Sequence, residues 1–221
     1  MNQPAPLLEV VDLSLRFGGV KALDAVSFEV RPNELFAVIG PNGAGKTSIF
    51  NCLNGVYRPQ SGSIRLDGVE LVGRKPTRIA TMGVARTFQN LGLFAQLNVI
   101  DNLMLGRHHV MRTGFLAAAL WFGPARREEI VNRGRVEEII ELLELEAYRY
   151  QPVGMLPYGV QKRIEMGRAL AMDPRLLLLD EPVAGMNLEE TEDMARYILE
   201  IKDDTDVAMI LVEHDMHMVM D

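Results

Sequence analysis

The stretch GPNGAGKT, Gly40 to Thr47, limits what this chain can fold into more than any other part of it. It has P-loop spacing, a glycine, four residues and then Gly-Lys-Thr, and it lies between ELFAVIG and SIFNCLNG. The first flank is a continuous apolar run ending in glycine, as expected of a strand buried on both faces of a parallel sheet. The second should be a helix. A strand, a tight glycine turn and a helix together aim backbone N–H groups and the positive end of a helix dipole at a polyphosphate. In this reading Gly40, Pro41, Asn42, Gly43, Ala44, Gly45 and Ser48 form the cradle, and Gly43 and Gly45 let the backbone approach without a Cβ in the way. Lys46 reaches the β and γ phosphates as a flexible point charge, and the Thr47 hydroxyl ligates Mg²⁺.

The rest of the chain reads as a single α/β domain, residues 1–221. LLEVVDLSLRF and AVSFEV, with Gly18 and Gly19 between them, look like antiparallel strands. RLLLLDEP and VAMILVEH are apolar, strand-like runs with polar residues at their carboxyl ends. From about Asn98 to Met155 the character is helical, clearest where Val136, Ile139, Ile140 and Leu143 make one apolar stripe. The expected architecture is an α/β core with a β-rich start (1–95 and 165–221) and a helical insertion (96–164) that carries LPYGVQKR. At 221 residues and 48% apolar content the chain can bury a substantial core. A net charge of −7 argues against a nucleic-acid partner, because such binding depends on Lys and Arg neutralising phosphates. The single Cys52 cannot form an internal disulfide and reads as a small buried apolar residue. The amino terminus shows no basic and apolar leader, and the longest apolar stretch, FLAAALWFG, is far shorter than the ~20 residues of a membrane span. The chain is therefore expected to be cytoplasmic unless a partner holds it to a membrane.

LLLLDEP places Asp180 and Glu181 at the carboxyl end of a strand, the edge where open α/β sheets bind ligands. Asp180 is the candidate for the Mg²⁺ shell, and Glu181 for orienting or deprotonating a water that attacks the γ phosphate in line. Gln89 in RTFQN follows an apolar segment and could sense Mg²⁺ or the attacking water, while His214 closes the last apolar run. Taken alone, neither residue says much. The adjacent His108 and His109 point in different directions on any regular element and have no Cys or carboxylate cluster beside them, so they are not read as a metal site.

In this order the motifs make the chain similar to the nucleotide-binding subunits of ABC transporters. GPNGAGKT resembles the Walker A motif, Gln89 in TFQN the Q-loop glutamine, LPYGVQKR the signature, LLLLDE Walker B, AGMN with Asn187 the D-loop, and His214 the switch histidine. The resemblance implies a RecA-like P-loop NTPase core, ATP and Mg²⁺ as ligands, and Gln89 and Lys46 acting with Glu181 and His214 in hydrolysis. It also implies that Phe17, otherwise an ordinary core aromatic, stacks on adenine. LPYG, Asn187 in place of the usual aspartate, the segment GRHHVMRTGFLAAALWFGPARREE and LVEHDMHMVMD resemble the ATPase subunits of branched-chain amino acid uptake systems. That family implies a second ATPase, identical or paralogous, and two membrane permeases, fed indirectly by a periplasmic solute-binding protein. The ATPases then sit peripherally on the inner face of the plasma membrane. In such head-to-tail pairs, Leu156, Pro157, Tyr158, Gly159, Val160 and Gln161 cover the partner's nucleotide. Here Pro157 takes the place of the usual serine, Tyr158 of a glycine and Val160 of a glutamine. The Tyr158 hydroxyl is the available substitute for the serine, and Gly159 permits close approach. The family pattern continues past the switch histidine through more strands and a final helix, whereas this sequence stops at Asp221. The expectation is a shortened carboxyl end with apolar core surface left uncovered. The alternatives are a soluble ABC-type ATPase unconnected with transport, and a nucleotide-binding module without turnover.

Overall fold

The structure, a computed structural model, describes residues 5–87, 92–108 and 124–213, with side chains from 127 onward in the last span. Gln89, His109 and His214 lie outside the described residues, as does most of the segment between Arg107 and Pro124.

Strands β1 (Leu8–Phe17), β2 (Val20–Val30), β4 (Ser61–Leu66) and β5 (Val69–Glu70) form an antiparallel sheet in the order β2-β1-β4-β5. The alternation of β1 slips once. Leu8 and Val10 face the core, and after a register shift Leu13 and Leu15 do. Asp12, with φ at +48°, sits in that shift, and its N–H donates to Ser27 Oγ at 2.8 Å. One extra residue at a bulge keeps both halves of the strand pointing inward.

The second sheet is parallel, in the order β3-β8-β7-β6, built from β3 (Leu35–Ile39), β6 (Val84–Arg86), β7 (Leu176–Asp180) and β8 (Ala208–Glu213). Successive side chains of a strand point to opposite faces. Leu176 and Leu178 of β7, with Ala208, Ile210 and Val212 of β8, pack toward the antiparallel sheet and helix α1 (Lys46–Leu53). Leu177 and Leu179, with Met209 and Leu211, pack toward the helices on the other face. The leucine run of β7 is therefore buried throughout because both of its faces are covered. β3 departs from the expectation of a strand buried on both faces. It lies at an edge of the described sheet, pairing only with β8 among the described strands, and is half-buried with Ile39 exposed.

A short helix α2 (Pro76–Thr81) precedes β6. The helical region begins at α3 (Val99–Arg107), capped by Asn98, whose side chain accepts from the Asp101 N–H at 2.8 Å. α4 (Pro124–Leu142) presents Val136, Ile139 and Ile140, with Leu143 just beyond its end, and all four are at most 2% exposed. This stripe packs in the same core as α3 and as α5 (Tyr158–Leu170), which follows one-turn 3₁₀ segments at Glu146–Tyr148 and Val153–Met155. α6 (Leu188–Asp204) leads into β8. Cys52 is buried on α1, and burial pushes its thiol up to about 11. No helix among the described residues is long and apolar enough to cross a membrane.

Candidate nucleotide-binding site

The P-loop leaves β3 at Ile39 and turns through Gly40 to Gly45, with the Ala44 N–H donating to the Pro41 carbonyl at 3.2 Å. Gly43 and Gly45 hold φ near +83° and +93°, the left-handed region that favours glycine. The two serve different ends. A Cβ on Gly43 would meet nothing within 4 Å, so this position leaves open space at the loop surface. A Cβ on Gly45 would lie 2.5 Å from the Ala22 carbonyl oxygen of β2, so Gly45 is required by the neighbouring strand. α1 then opens with Gly45 as its N-cap, with no side chain capping it and no acid in its first turn. Among the described residues no side chain caps its leading N–H groups, the arrangement that suits a phosphate. Lys46 is only 7% exposed, and its ammonium folds back to donate to the Gly40 carbonyl and, at 3.0 Å, to that of Pro41. A buried ammonium needs such partners, and an anion entering the loop would meet a charge already fixed and partly desolvated. Pro41, Asn42, Gly43, Ala44 and Thr47 are exposed, and Ser48 is half-buried.

Strand register brings the second group of residues to the same edge. Val38, Val212 and Asp180 lie in one row across β3, β8 and β7. The chain therefore leaves for the P-loop and for Glu181 from the strands on either side of β8, about 10 Å apart at the usual strand spacing. Asp180 is 4% exposed. Its N–H donates to Thr87 Oγ1 at 3.2 Å, and its Oδ2 accepts from Arg86 Nη2 at 2.6 Å. Glu181 has φ at +48°, rare for a non-glycine residue, with its N–H bound to the Val212 carbonyl at 3.0 Å. Such backbone strain costs about 1–3 kcal/mol and persists where the surrounding structure enforces it, often at functional sites.

Phe17 is 46% exposed, unlike an ordinary core aromatic. It stands beside the Gly18-Gly19 turn, edge-on to Tyr57 with ring centroids 5.1 Å apart. Gln60 braces this corner, accepting from the Arg16 N–H at 2.8 Å and donating to the Arg16 carbonyl at 3.2 Å.

The residues of LPYGVQ divide between core and surface. Leu156 and Val160 are 6% and 5% exposed and belong to the helical-side core, while Gln161 Nε2 is turned back to the Leu156 carbonyl at 2.8 Å. Pro157, the N-cap of α5, is exposed. The Tyr158 hydroxyl donates to the Ala184 carbonyl at 3.1 Å. It is engaged within its own chain, so it is not the spare hydroxyl that the sequence suggested. Gly159 is closely approached by Glu190, whose Oε1 would lie 2.7 Å from an added Cβ. Glu190 is fixed in turn by a capping box, in which Asn187 Oδ1 accepts its N–H at 3.0 Å and its Oε2 accepts the Asn187 N–H at 3.1 Å. Asn187→Ala should therefore lower stability by about 1 kcal/mol, read from chemical denaturation.

Sequence reasoning missed Arg86, Glu190 and Tyr197. The Tyr197 hydroxyl joins Arg163 on α5, at 2.8 Å, to Glu144 at 2.7 Å. Partners so far apart along the chain leave no periodic signal. Only Arg86 carries a local signal that could have marked it, a cation closing an apolar segment.

With this geometry in place, the family profile described as ABC transporter matches residues 23–184. The chain belongs to the ABC transporter family. It is 41% identical to the high-affinity branched-chain amino acid transport ATP-binding protein BraF of Pseudomonas aeruginosa over 215 residues, 97% of this chain and 84% of that protein. It is 40% identical to the corresponding LivG protein of Escherichia coli K12 over the same shares. A crystal structure of the ADP conformation of an ATP-binding cassette of an ABC transporter matches with a TM-score of 0.83 and 28% identity, covering 98% of this chain and 84% of that one. A nucleotide-free cassette matches with a TM-score of 0.81 and 27% identity. The antiparallel and parallel sheets described above are thus those of an ATP-binding cassette.

Proposed function

We propose that this cassette is the ATP-hydrolysing subunit of an importer for branched-chain amino acids or a related small solute. The observation that carries the reading is the shared strand edge. The turn holding the buried Lys46 ammonium, the Asp180 carboxylate and the strained Glu181 all leave from it. The similarity to BraF and LivG, branched-chain amino acid transport ATP-binding proteins, supplies the transport context.

ATP would enter with its phosphates at Gly40–Ser48 and its adenine against Phe17. Glu181 accepts a proton from a water whose oxygen attacks the γ-phosphorus. The bond to the β-γ bridging oxygen breaks, and its electron pair leaves with ADP. Gln89 and His214 are assigned beside that water by their motifs. Thr47 and Asp180 are the residues that would hold Mg²⁺. They fit it, because Mg²⁺ is usually held by one or two carboxylates plus substrate phosphates, and the buried Asp180 carboxylate stands at the strand edge from which the P-loop leaves. Held there by Thr47 and Asp180, Mg²⁺ would supply positive charge to offset the charge that develops on the phosphate oxygens.

Pro157, Tyr158 and the amides opening α5 would cover the nucleotide of a second ATPase, with Asn187 at the contact between the two. The division into a core with β subdomain (1–95, 165–221) and a helical part (96–164) belongs to the same reading. The helical part would pass closure to two permeases. Tagged protein isolated from native membranes should bring down two multi-spanning subunits and release phosphate from MgATP. Recovery without permeases, together with ATP turnover unaffected by membranes, would favour a soluble ABC-type ATPase instead.

A further inference from the structure

The Asp180 carboxylate is nearly buried, and a buried carboxylate left without a partner is expensive. Its partner is Arg86, the last residue of β6, and the two side chains are 5% and 10% exposed. The same guanidinium reaches a third element. Nη1 donates to Asn51 Oδ1 at 2.7 Å, and the group lies 5.5 Å from the centroid of the Phe50 ring. Phe50 and Asn51 stand three and four residues after Thr47 on α1, the spacing of one helical face. Arg86 therefore joins the helix carrying the Thr47 hydroxyl to the strand carrying Asp180. Thr87, the next residue, accepts the Asp180 N–H, so adjacent positions brace both the backbone and the carboxylate. Asp180 Oδ1 makes no hydrogen bond or ion pair among the described residues, which leaves that oxygen available. A lysine would not reproduce this bridge, because it lacks the planar fork that bonds two acceptors in fixed directions.

We propose that Arg86 is a positioning residue that fixes the Asp180 carboxylate relative to Thr47 and so sets how strongly Mg²⁺ supports ATP binding. The proposal rests on the reading of Asp180 as the carboxylate of the metal shell. Groups that orient a ligand from behind it typically change metal affinity 10–100-fold when removed. Binding of ATP to the full chain is measured by calorimetry in EDTA and again across a series of MgCl₂ concentrations, for the parent and for Arg86→Lys, Arg86→Met, Asn51→Ala and Asp180→Asn. The P-loop is intact in the Arg86 and Asn51 variants, so their affinity in EDTA should stay close to the parent's. The gain in affinity from Mg²⁺ should fall about 10–100-fold in Arg86→Met. It should fall in Arg86→Lys as well, and by a smaller factor in Asn51→Ala, which keeps the ion pair.

Arg86 variants that keep the parental Mg²⁺ gain while Asp180→Asn loses it would overturn the inference and leave the reading of Asp180 standing. If Asp180→Asn itself keeps the gain, the reading of Asp180 fails. Arg86→Met strips a buried carboxylate of its charge partner and can fail to fold. In that case Arg86→Lys and Asn51→Ala decide the matter, because both keep either a cation or an intact ion pair beside Asp180.

Discussion

Glu181→Gln should bind MgATP as tightly as the parent and hydrolyse it at least about 100-fold more slowly, since a positioned general base contributes about 10²–10⁴-fold. The amide preserves the size of the side chain, so the position keeps its φ of +48° and its N–H bond to Val212. What it loses is the ability to take the proton from the attacking water. The measurement pairs ATP affinity with phosphate release from the assembled complex. Parental turnover would remove Glu181 from the reaction. Glu181→Gly is the companion variant. It admits the left-handed backbone without strain and should melt no lower than the parent while losing turnover equally. The two variants together separate the backbone requirement at this position from the chemical one, a separation expected where strain is kept for function.

The parts of the molecule that were legible in the sequence are those governed by short-range pattern. The leucine run of β7, the period of Val136, Ile139 and Ile140, and the glycine spacing of the P-loop each report a local environment, and the structure has each of them. ELFAVIG shows where such patterns stop. It is as continuously apolar as LLLLD, yet β3 is half-buried while β7 is fully buried. An apolar run specifies what its faces prefer, whereas its position in the strand order decides what they meet. Phe17 and Tyr158 show the same limit for single side chains. An aromatic at a strand end has no pattern that separates a buried ring from one 46% exposed. Likewise, the Tyr158 hydroxyl was free to be assigned to a partner until the fold brought Ala184, 26 residues away, within 3.1 Å. Arg86 and Asp180, separated by 94 positions, belong to this class as well. The site is therefore readable in its motif residues and unreadable in the contacts that orient them.

The two P-loop glycines offer the sharpest test of that division, because the motif treats them alike. Gly45→Ala should lower stability by at least about 3 kcal/mol, as strain at φ of +93° adds to a Cβ placed 2.5 Å from a backbone oxygen of β2. Neither neighbour can give way cheaply, since β2 is held along its length by β1 and the loop is tied to α1 through the Ile49 N–H on the Gly45 carbonyl. Nucleotide binding would be lost as a consequence of the damaged loop. Gly43→Ala carries strain of a similar kind at φ of +83°, but its methyl group enters open space. It should cost only about 1–2 kcal/mol, keep a cooperative melt, and weaken ATP binding because that space is where a polyphosphate would approach. Denaturant unfolding and ATP titration of both variants give the comparison. Equal loss of stability in the two would mean that the contact with β2 is not what holds Gly45. Undiminished ATP affinity in Gly43→Ala would mean that the phosphates do not pass that position.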